Sequence, residues 1–308
     1  MTAPREIASG VIQIDTRLGG WDQVTAGYLI TGPAPVLVET GSQTSVPVVL
    51  EALAGLGVGS TDLAAVVVTH IHLDHAGGVG DVAAAFPNAT IGVHPAGARH
   101  LADPTRLVAS AERVYGDLLD RLYGRLTPVD SDRIRVLDDG DEFDVGGGRR
   151  LISVDSPGHA RHHLALHDSD SGLLFVGDAV GVRLADVGVL RPATPPPDFD
   201  LAAALDSMRR FANRQPSALA LAHYGVVPGD PGELLAEAAE ALCCWAEVAR
   251  SAWERGDDVT AALVECFEPE MNELNAHQRE KVETLNGIHS NAAGLKRYFD
   301  QQGNRLAR

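Results

Sequence analysis

Lysine is almost missing from this chain: Lys281 and Lys296 are the only two among 308 residues. With none earlier in the chain, a Walker-type phosphate loop and a Schiff-base lysine are excluded from the first 280 positions. Positive charge is scarce overall, with 25 Lys+Arg against 42 Asp+Glu and a formal net charge of −17. So acidic a surface repels phosphate backbones and anionic lipid, and we expect neither nucleic acid nor membrane as a partner. Cysteine is sparse too. Cys243, Cys244 and Cys266 form no CxxC pair, which excludes a disulfide framework and a thiolate zinc ribbon. We expect these thiols to be packed and inert, in a protein of the reducing cytoplasm. No apolar run approaches the ~20 residues that cross a bilayer. Met1–Gly10 has neither the basic start nor the apolar stretch of a secretory signal. What remains is ordinary globular composition, 45% hydrophobic and 22% charged, in a chain long enough for a large core.

Short β-rich runs punctuate the first half. Val11–Asp15, Thr25–Thr31 and Pro35–Glu39 read as strands between Gly/Pro turns. Val46–Gly55 has helical spacing, whereas the apolar, Val-rich run Leu63–Thr69 is too short for a helix and reads as a buried strand. A helix over Gly78–Phe86 and a strand at Ala89–Val93 complete an alternation that predicts an α/β layered fold. Leu107, Ala111, Val114, Leu118 and Leu122 repeat at three- and four-residue steps, which predicts one apolar helical stripe in an insertion over about 96–128. Later strands are expected at Leu151–Asp155, His163–His167, Leu173–Gly177 and Ala218–Ala222. Pro192–Pro197 is a stiff linker, and Phe199–Asn213 reads as a helix. From about 231 the chain reads as helical, with Pro269 and Asn286-Gly287 breaking it into at least three helices.

The chemistry concentrates in Thr69-His70-Ile71-His72-Leu73-Asp74-His75-Ala76-Gly77-Gly78. Three imidazoles and a carboxylate within six positions, just past a buried strand, are the ligand types that hold Zn, Fe and similar ions. Further candidates follow other strand ends in the same way: His159 after Ser156-Pro157-Gly158, Asp178 after Leu173–Gly177, and His223 after Ala218–Ala222. Open α/β sheets place their sites at such ends.

THIHLDHAGG, SPGH, VGDA and AHYG, in this order, resemble the metallo-β-lactamase superfamily over roughly Val11–Gly225. The resemblance implies a four-layer αββα sandwich with the helical insertion, and a core over 1–230 on which C-terminal helices 231–308 pack. It implies two divalent ions, most often Zn, with Fe or Mn also accepted by such a donor set. His70, His72 and His159 would bind the first ion; Asp74, His75 and His223 would bind the second; Asp178 would bridge them. Glu39 departs from the Asp more usual in the family's DTG turn. Asp at 178 favours the glyoxalase-II and lactonase-like hydrolases, because zinc β-lactamases often carry Cys there. His72 and the lack of a flavin domain disfavour di-iron oxygen reduction.

The implied function is hydrolysis of a small thioester, lactone or phosphodiester by a metal-bridging hydroxide, with Asp74 orienting the nucleophile and moving its proton. A mono-iron persulfide dioxygenase and a weakly catalytic, small-molecule-binding regulator stay open as alternatives, as does a homodimer. His163 is expected to support a ligand rather than bind metal, and His94 to be structural. Arg161, Arg183, Tyr224 and His289 are left open as substrate contacts. The insertion, with Tyr115 and Tyr123, is expected to roof the substrate channel.

Overall fold

The computed structural model describes residues 3–306; Met1 and Thr2, at the head of the stretch read for a signal, lie outside the described residues. The chain forms two compact units. The first takes in the chain up to Asp155 with His162–Gly177 and Pro216–Pro228. The second comprises Ser156–Arg161, Asp178–Gln215 and the chain from Gly229 on, so it includes stretches from before residue 230.

Two sheets build the first unit. One runs in sequence order through β1 (Arg5–Ala8), β2 (Val11–Asp15), β3 (Ala26–Ile30), β4 (Val36–Val38), β5 (Ala65–Val67), β6 (Thr90–Val93) and β7 (Ile134–Val136). Its first four strands form an antiparallel meander, and β4 to β7 are parallel. The other sheet contains β8 (Glu142–Gly146), β9 (Arg149–Asp155), β10 (Leu164–Asp168), β11 (Leu173–Gly177), β12 (Ala218–Leu221) and β13 (Gly225–Val226), with only β11 and β12 parallel.

Side chains of both sheets meet in one core. Tyr28, Ile30, Val36, Val38 and Val67 from the first sheet pack with Leu151, Leu164, Leu166 and Phe175 from the second. Alternation at period two supplies this face. The residues between, Leu29, Leu37 and Val66, are buried as well, so β3 to β5 are covered on both faces. That double burial is why their sequence reads as unbroken apolar runs. Tyr28 and Phe175 lie at the centre, rings 4.9 Å apart and tilted by 52°. Each such ring stabilises the fold by roughly 1.5–3 kcal/mol through burial.

Between the strands lie α1 (Val46–Gly55), the short α2 (Leu73–Ala76), α3 (Val79–Ala85), α4 (Pro95–Ala102), α5 (Thr105–Tyr115) and α6 (Leu118–Leu122). The insertion therefore departs from the single striped helix expected. Gly116 takes φ 51°, ψ −130°, a conformation only glycine adopts cheaply, and it divides the stripe between α5 and α6. Val114 and Leu118 consequently face solvent, 72% and 42% exposed.

The second unit is mainly helical: α7 (Leu201–Asn213), α8 (Pro231–Arg255), α9 (Val259–Asn272), α10 (Ala276–Asn286) and α11 (Ile288–Leu306). Asp200, Asp230 and Asp258 cap α7, α8 and α9 by accepting backbone N–H bonds. Pro269 does not break the tail as expected; it sits in the last turn of α9, where the bond it forgoes would reach back to exposed Glu265. The breaks fall at left-handed Gly256, at the Asn275/Gln278 capping box, and at Gly287. Trp245 of α8 stacks on Phe267 of α9 at 4.3 Å. Pro192–Pro197 carries neither helix nor strand, and Asn291 of α11 accepts from Thr194 N at 2.6 Å. The three thiols are exposed rather than packed, because the apolar stripes of α8 and α9 run along other faces.

Candidate metal centre

β5 ends at Val67, and the chain passes through Thr69–His72 into α2. Two straps hold this loop. Thr40, just past β4, donates both its N–H (3.0 Å) and its hydroxyl (2.9 Å) to the carbonyl of His75. Glu39 accepts from Thr69 N at 3.0 Å through one carboxylate oxygen and lies 3.6 Å from His75 Nδ1 through the other. It does so with φ at 65°, a conformation that costs a non-glycine residue of order 1–3 kcal/mol and collects at functional sites. The glycines of the HAGG segment have a steric reason. A Cβ on Gly78 would meet Val46 Cγ2 at 2.7 Å and Ser42 O at 3.1 Å.

The donors then fall into three groups. In the first, Asp74, His75 and His223 each offer a ligand atom, all within 4.8 Å of one another. Asp74 Oδ2 is 3.6 Å from His75 Nε2 and 3.4 Å from His223 Nε2, and the two Nε2 atoms face each other at 3.2 Å. In the second, His70 Nε2 faces His72 Nδ1 at 2.9 Å, with the His163 ring 5.0 Å from that of His70. In the third, His159 Nε2 lies 3.6 Å from Asp178 Oδ2. All of these except His72 and Asp74 are buried.

The remote ring nitrogens decide the chemistry. His223 Nδ1 lies 2.8 Å from the carbonyl of Val24, and His159 Nδ1 lies 3.0 Å from that of Ala193. A carbonyl only accepts, so each Nδ1 carries the hydrogen, and in the neutral ring Nε2 is the accepting nitrogen. The His75 and His223 Nε2 atoms lie 3.2 Å apart and each within 3.6 Å of Asp74 Oδ2, a spacing that suits a cation held among them. Rings tied at one nitrogen and offered at the other are the pattern of metal-ligating histidine. The donors thus fit divalent metal ions: neutral imidazoles and a carboxylate, with charge left for a cation to balance.

The remaining candidates have local roles or surroundings of their own. His94 Nδ1 accepts from Ala96 N and caps α4. Arg161 pairs with Asp198 at 3.1 Å. Arg183 is half-buried, and His289 is exposed on α11. Tyr224 packs against the inter-sheet core, where burial pushes its hydroxyl pKa up to about 12. Sequence reasoning missed the Glu39–Thr40 strap as a device; its only signal was an acidic residue directly past a buried strand.

The profile of the metallo-beta-lactamase superfamily matches residues 19–223. The chain belongs to this superfamily. The superfamily protein ST1585 of Sulfurisphaera tokodaii is 33% identical over 165 residues, covering 53% of this chain and 60% of its own. A hydroxyacylglutathione hydrolase of Fuscovulum blasticum is 31% identical over 147 residues, covering 48% and 44%. An acyl-coenzyme A thioesterase of Bos taurus is 31% identical over 119, covering 37% and 40%. The chain thus matches between 40% and 60% of the length of these relatives. Among solved structures, an archaeal superfamily protein from Sulfolobus tokodaii aligns with TM-score 0.70 at 23% identity, covering 93% of this chain and 98% of that one. TTHA1429 from Thermus thermophilus aligns with TM-score 0.68 at 20% identity, covering 97% and 95%. At such identities the structures speak for the fold, the αβ/βα sandwich with helical insertions and a C-terminal helical extension. Within the metallo-β-lactamase fold, the clustered His and Asp donors form candidate metal sites.

Proposed function

We propose that the chain is a dinuclear hydrolase of a small thioester, with lactone and phosphodiester as the competing classes. The observation that carries this is the convergence of Asp74 Oδ2, His75 Nε2 and His223 Nε2, with His223 Nδ1 2.8 Å from the Val24 carbonyl and His75 Nδ1 3.6 Å from Glu39 Oε2. In this reading His70, His72 and His159 hold one ion, Asp74, His75 and His223 hold the other, and Asp178 serves both. Zinc suits the donors, as Fe and Mn also would. The relatives favour thioester among the three classes, since hydroxyacylglutathione and acyl-coenzyme A are both thioesters.

Bound divalent ions supply Lewis acidity at the scissile carbonyl and bring a water's pKa towards neutrality. The chain's own residues do the rest. Asp74 orients the attacking water and takes its proton, which it then hands to the leaving group. Val24 and Glu39 face the outer nitrogens of His223 and His75, whose Nε2 atoms lie 3.2 Å apart.

The deciding experiment sets S-lactoylglutathione, an acyl-homoserine lactone and bis-p-nitrophenyl phosphate side by side on zinc-reconstituted protein, with metal content measured. Two ions per chain and turnover of the thioester are expected. One iron per chain with oxygen uptake on glutathione persulfide would instead establish the dioxygenase. Two bound ions in an active Asp178→Asn variant would sink the ligand assignment.

A further inference from the structure

Within the second unit, the turn Ser156-Pro157-Gly158-His159 is clamped against α7. Asp200 N donates to Gly158 O at 2.8 Å, and Ser207 Oγ donates to Pro157 O at 2.7 Å. Glycine is required at 158: its φ is 142°, and a Cβ there would meet Ala204 Cα at 2.3 Å. The segment after Asp178 is fixed as tightly. Gly181 takes φ 101°, where a Cβ would meet Arg191 O at 2.3 Å, and Val182 and Arg191 exchange backbone bonds at 2.8 and 2.9 Å. Two residues on, the carbonyl of Ala193 faces His159 Nδ1 at 3.0 Å.

The helices beside these turns leave a gap. The buried face of α7 carries Ala204 and, one turn on, Met208; that of α8 carries Ala238 and, one turn on, Leu242. An alanine one turn from a large side chain leaves space that its neighbour does not fill. The result is a cavity of about 10 Å³, room for one methyl-sized group, lined by all four. His159 and Asp178 line it as well, and among its lining residues they alone are ionisable. A small apolar recess therefore opens beside a candidate ligand pair whose Nε2 and Oδ2 lie 3.6 Å apart.

We propose that this recess receives the acyl end of the substrate and limits it to about two or three carbons, which makes the substrate a short-chain acyl thioester. The inference rests on the thioester-hydrolase reading above. The carbonyl belongs at the polar edge, with His159 and Asp178, and the alkyl end belongs between α7 and α8. The thiol half cannot take this place, because glutathione and coenzyme A carry charged groups that apolar walls do not admit. Each further methylene must displace Met208 or Leu242, and a close-packed interior yields only at a cost. Met208, Leu242 and Ala238 are thus specificity-determining residues.

The test measures kcat/KM of the zinc-reconstituted full chain on acetyl-, propionyl- and hexanoyl-coenzyme A. Hexanoyl is expected about 100-fold below propionyl. Leu242→Ala should raise hexanoyl about tenfold relative to propionyl, and Ala238→Val should lower propionyl about tenfold relative to acetyl, with zinc content retained. Equal rates of the parent on all three overturn the proposal, as do variants that change all three in the same proportion. A second measurement needs neither turnover nor a resized recess. With methionine methyls labelled by carbon-13, the signal that vanishes in Met208→Leu should move when propionamide, an uncharged stand-in for the acyl end, is added. It should move less with hexanamide, and the Met271 signal should stay in place. Equal movement with both amides, or none, overturns the proposal. Silence of the parent on all three thioesters counts against the hydrolase reading, while the amide titration still decides the recess.

Discussion

Two polar clusters of the first unit are handled in opposite ways. Where β9 begins and β10 ends, Arg149 Nε and Nη2 donate to the two oxygens of Asp168 at 2.8 and 2.5 Å, and Ser171 N and Oγ add further donors. Every charge there meets its opposite inside the chain. At the far end of the strands, Asp74, His75 and His223 bring their ligand atoms within 4.8 Å of one another. The first cluster is complete and therefore structural. The second gathers the donor types that hold a cation, and that composition marks a site more sharply than burial does.

Removing a donor from each cluster breaks the comparison most directly. His223→Ala should abolish metal at its group and cost several kcal/mol of transition-state stabilisation, roughly a thousandfold in turnover. Thermal stability of the metal-free protein should barely change. Arg149→Met should do the reverse. It leaves a buried carboxylate alone and should cost about 3–5 kcal/mol of stability by denaturant titration, with metal content per folded chain unaltered. A Met variant as stable as the parent would show that the pair is dispensable.

Smaller changes sharpen the contrast. Glu39→Gln keeps the shape of the strap but not its charge, and should weaken zinc binding about 10- to 100-fold in a competition titration with a chelator. Unchanged affinity would reduce Glu39 to a packing residue. The least effect is expected from acid. Burial pushes the Asp168 carboxyl up, but hydrogen bonds from Arg149 and Ser171 and the Arg149 charge outweigh it, so its pKa lies below the ordinary 3.8. A depressed pKa contributes stability above the unfolded value, and that contribution is lost as pH falls through the folded one. Tm should therefore drop below about pH 4 in the parent. Arg149→Met, lacking the stabilised carboxylate, should show a flatter acid limb.

Much of this was legible because it is local. Val11–Asp15, Val46–Gly55 and Leu173–Gly177 appear at the bounds their patterns predict. The THIHLDHAGG segment advertises its chemistry within ten residues. The insertion was misread because periodicity cannot register Gly116, a single left-handed residue that splits the stripe and turns Val114 outward. Pro269 was misread from the other side, since a proline near an exposed helix end disturbs little. β7, a short strand with exposed Arg135 and Val136, carries almost no apolar signal, so its existence depends on its neighbour β6.

Residue identity alone established which donors this protein owns and that each follows a strand, because ligand chemistry and strand periodicity are properties of short segments. Only the folded chain decided that His75 and His223, 148 positions apart, turn their Nε2 atoms toward each other. It alone set His223 Nδ1 on the Val24 carbonyl, brought Glu39 within 3.6 Å of His75 Nδ1, and drew Tyr123 to the loop that holds His75. Those contacts join residues remote in sequence, and they exist because two sheets closing on a common core leave their strand ends no other place to go.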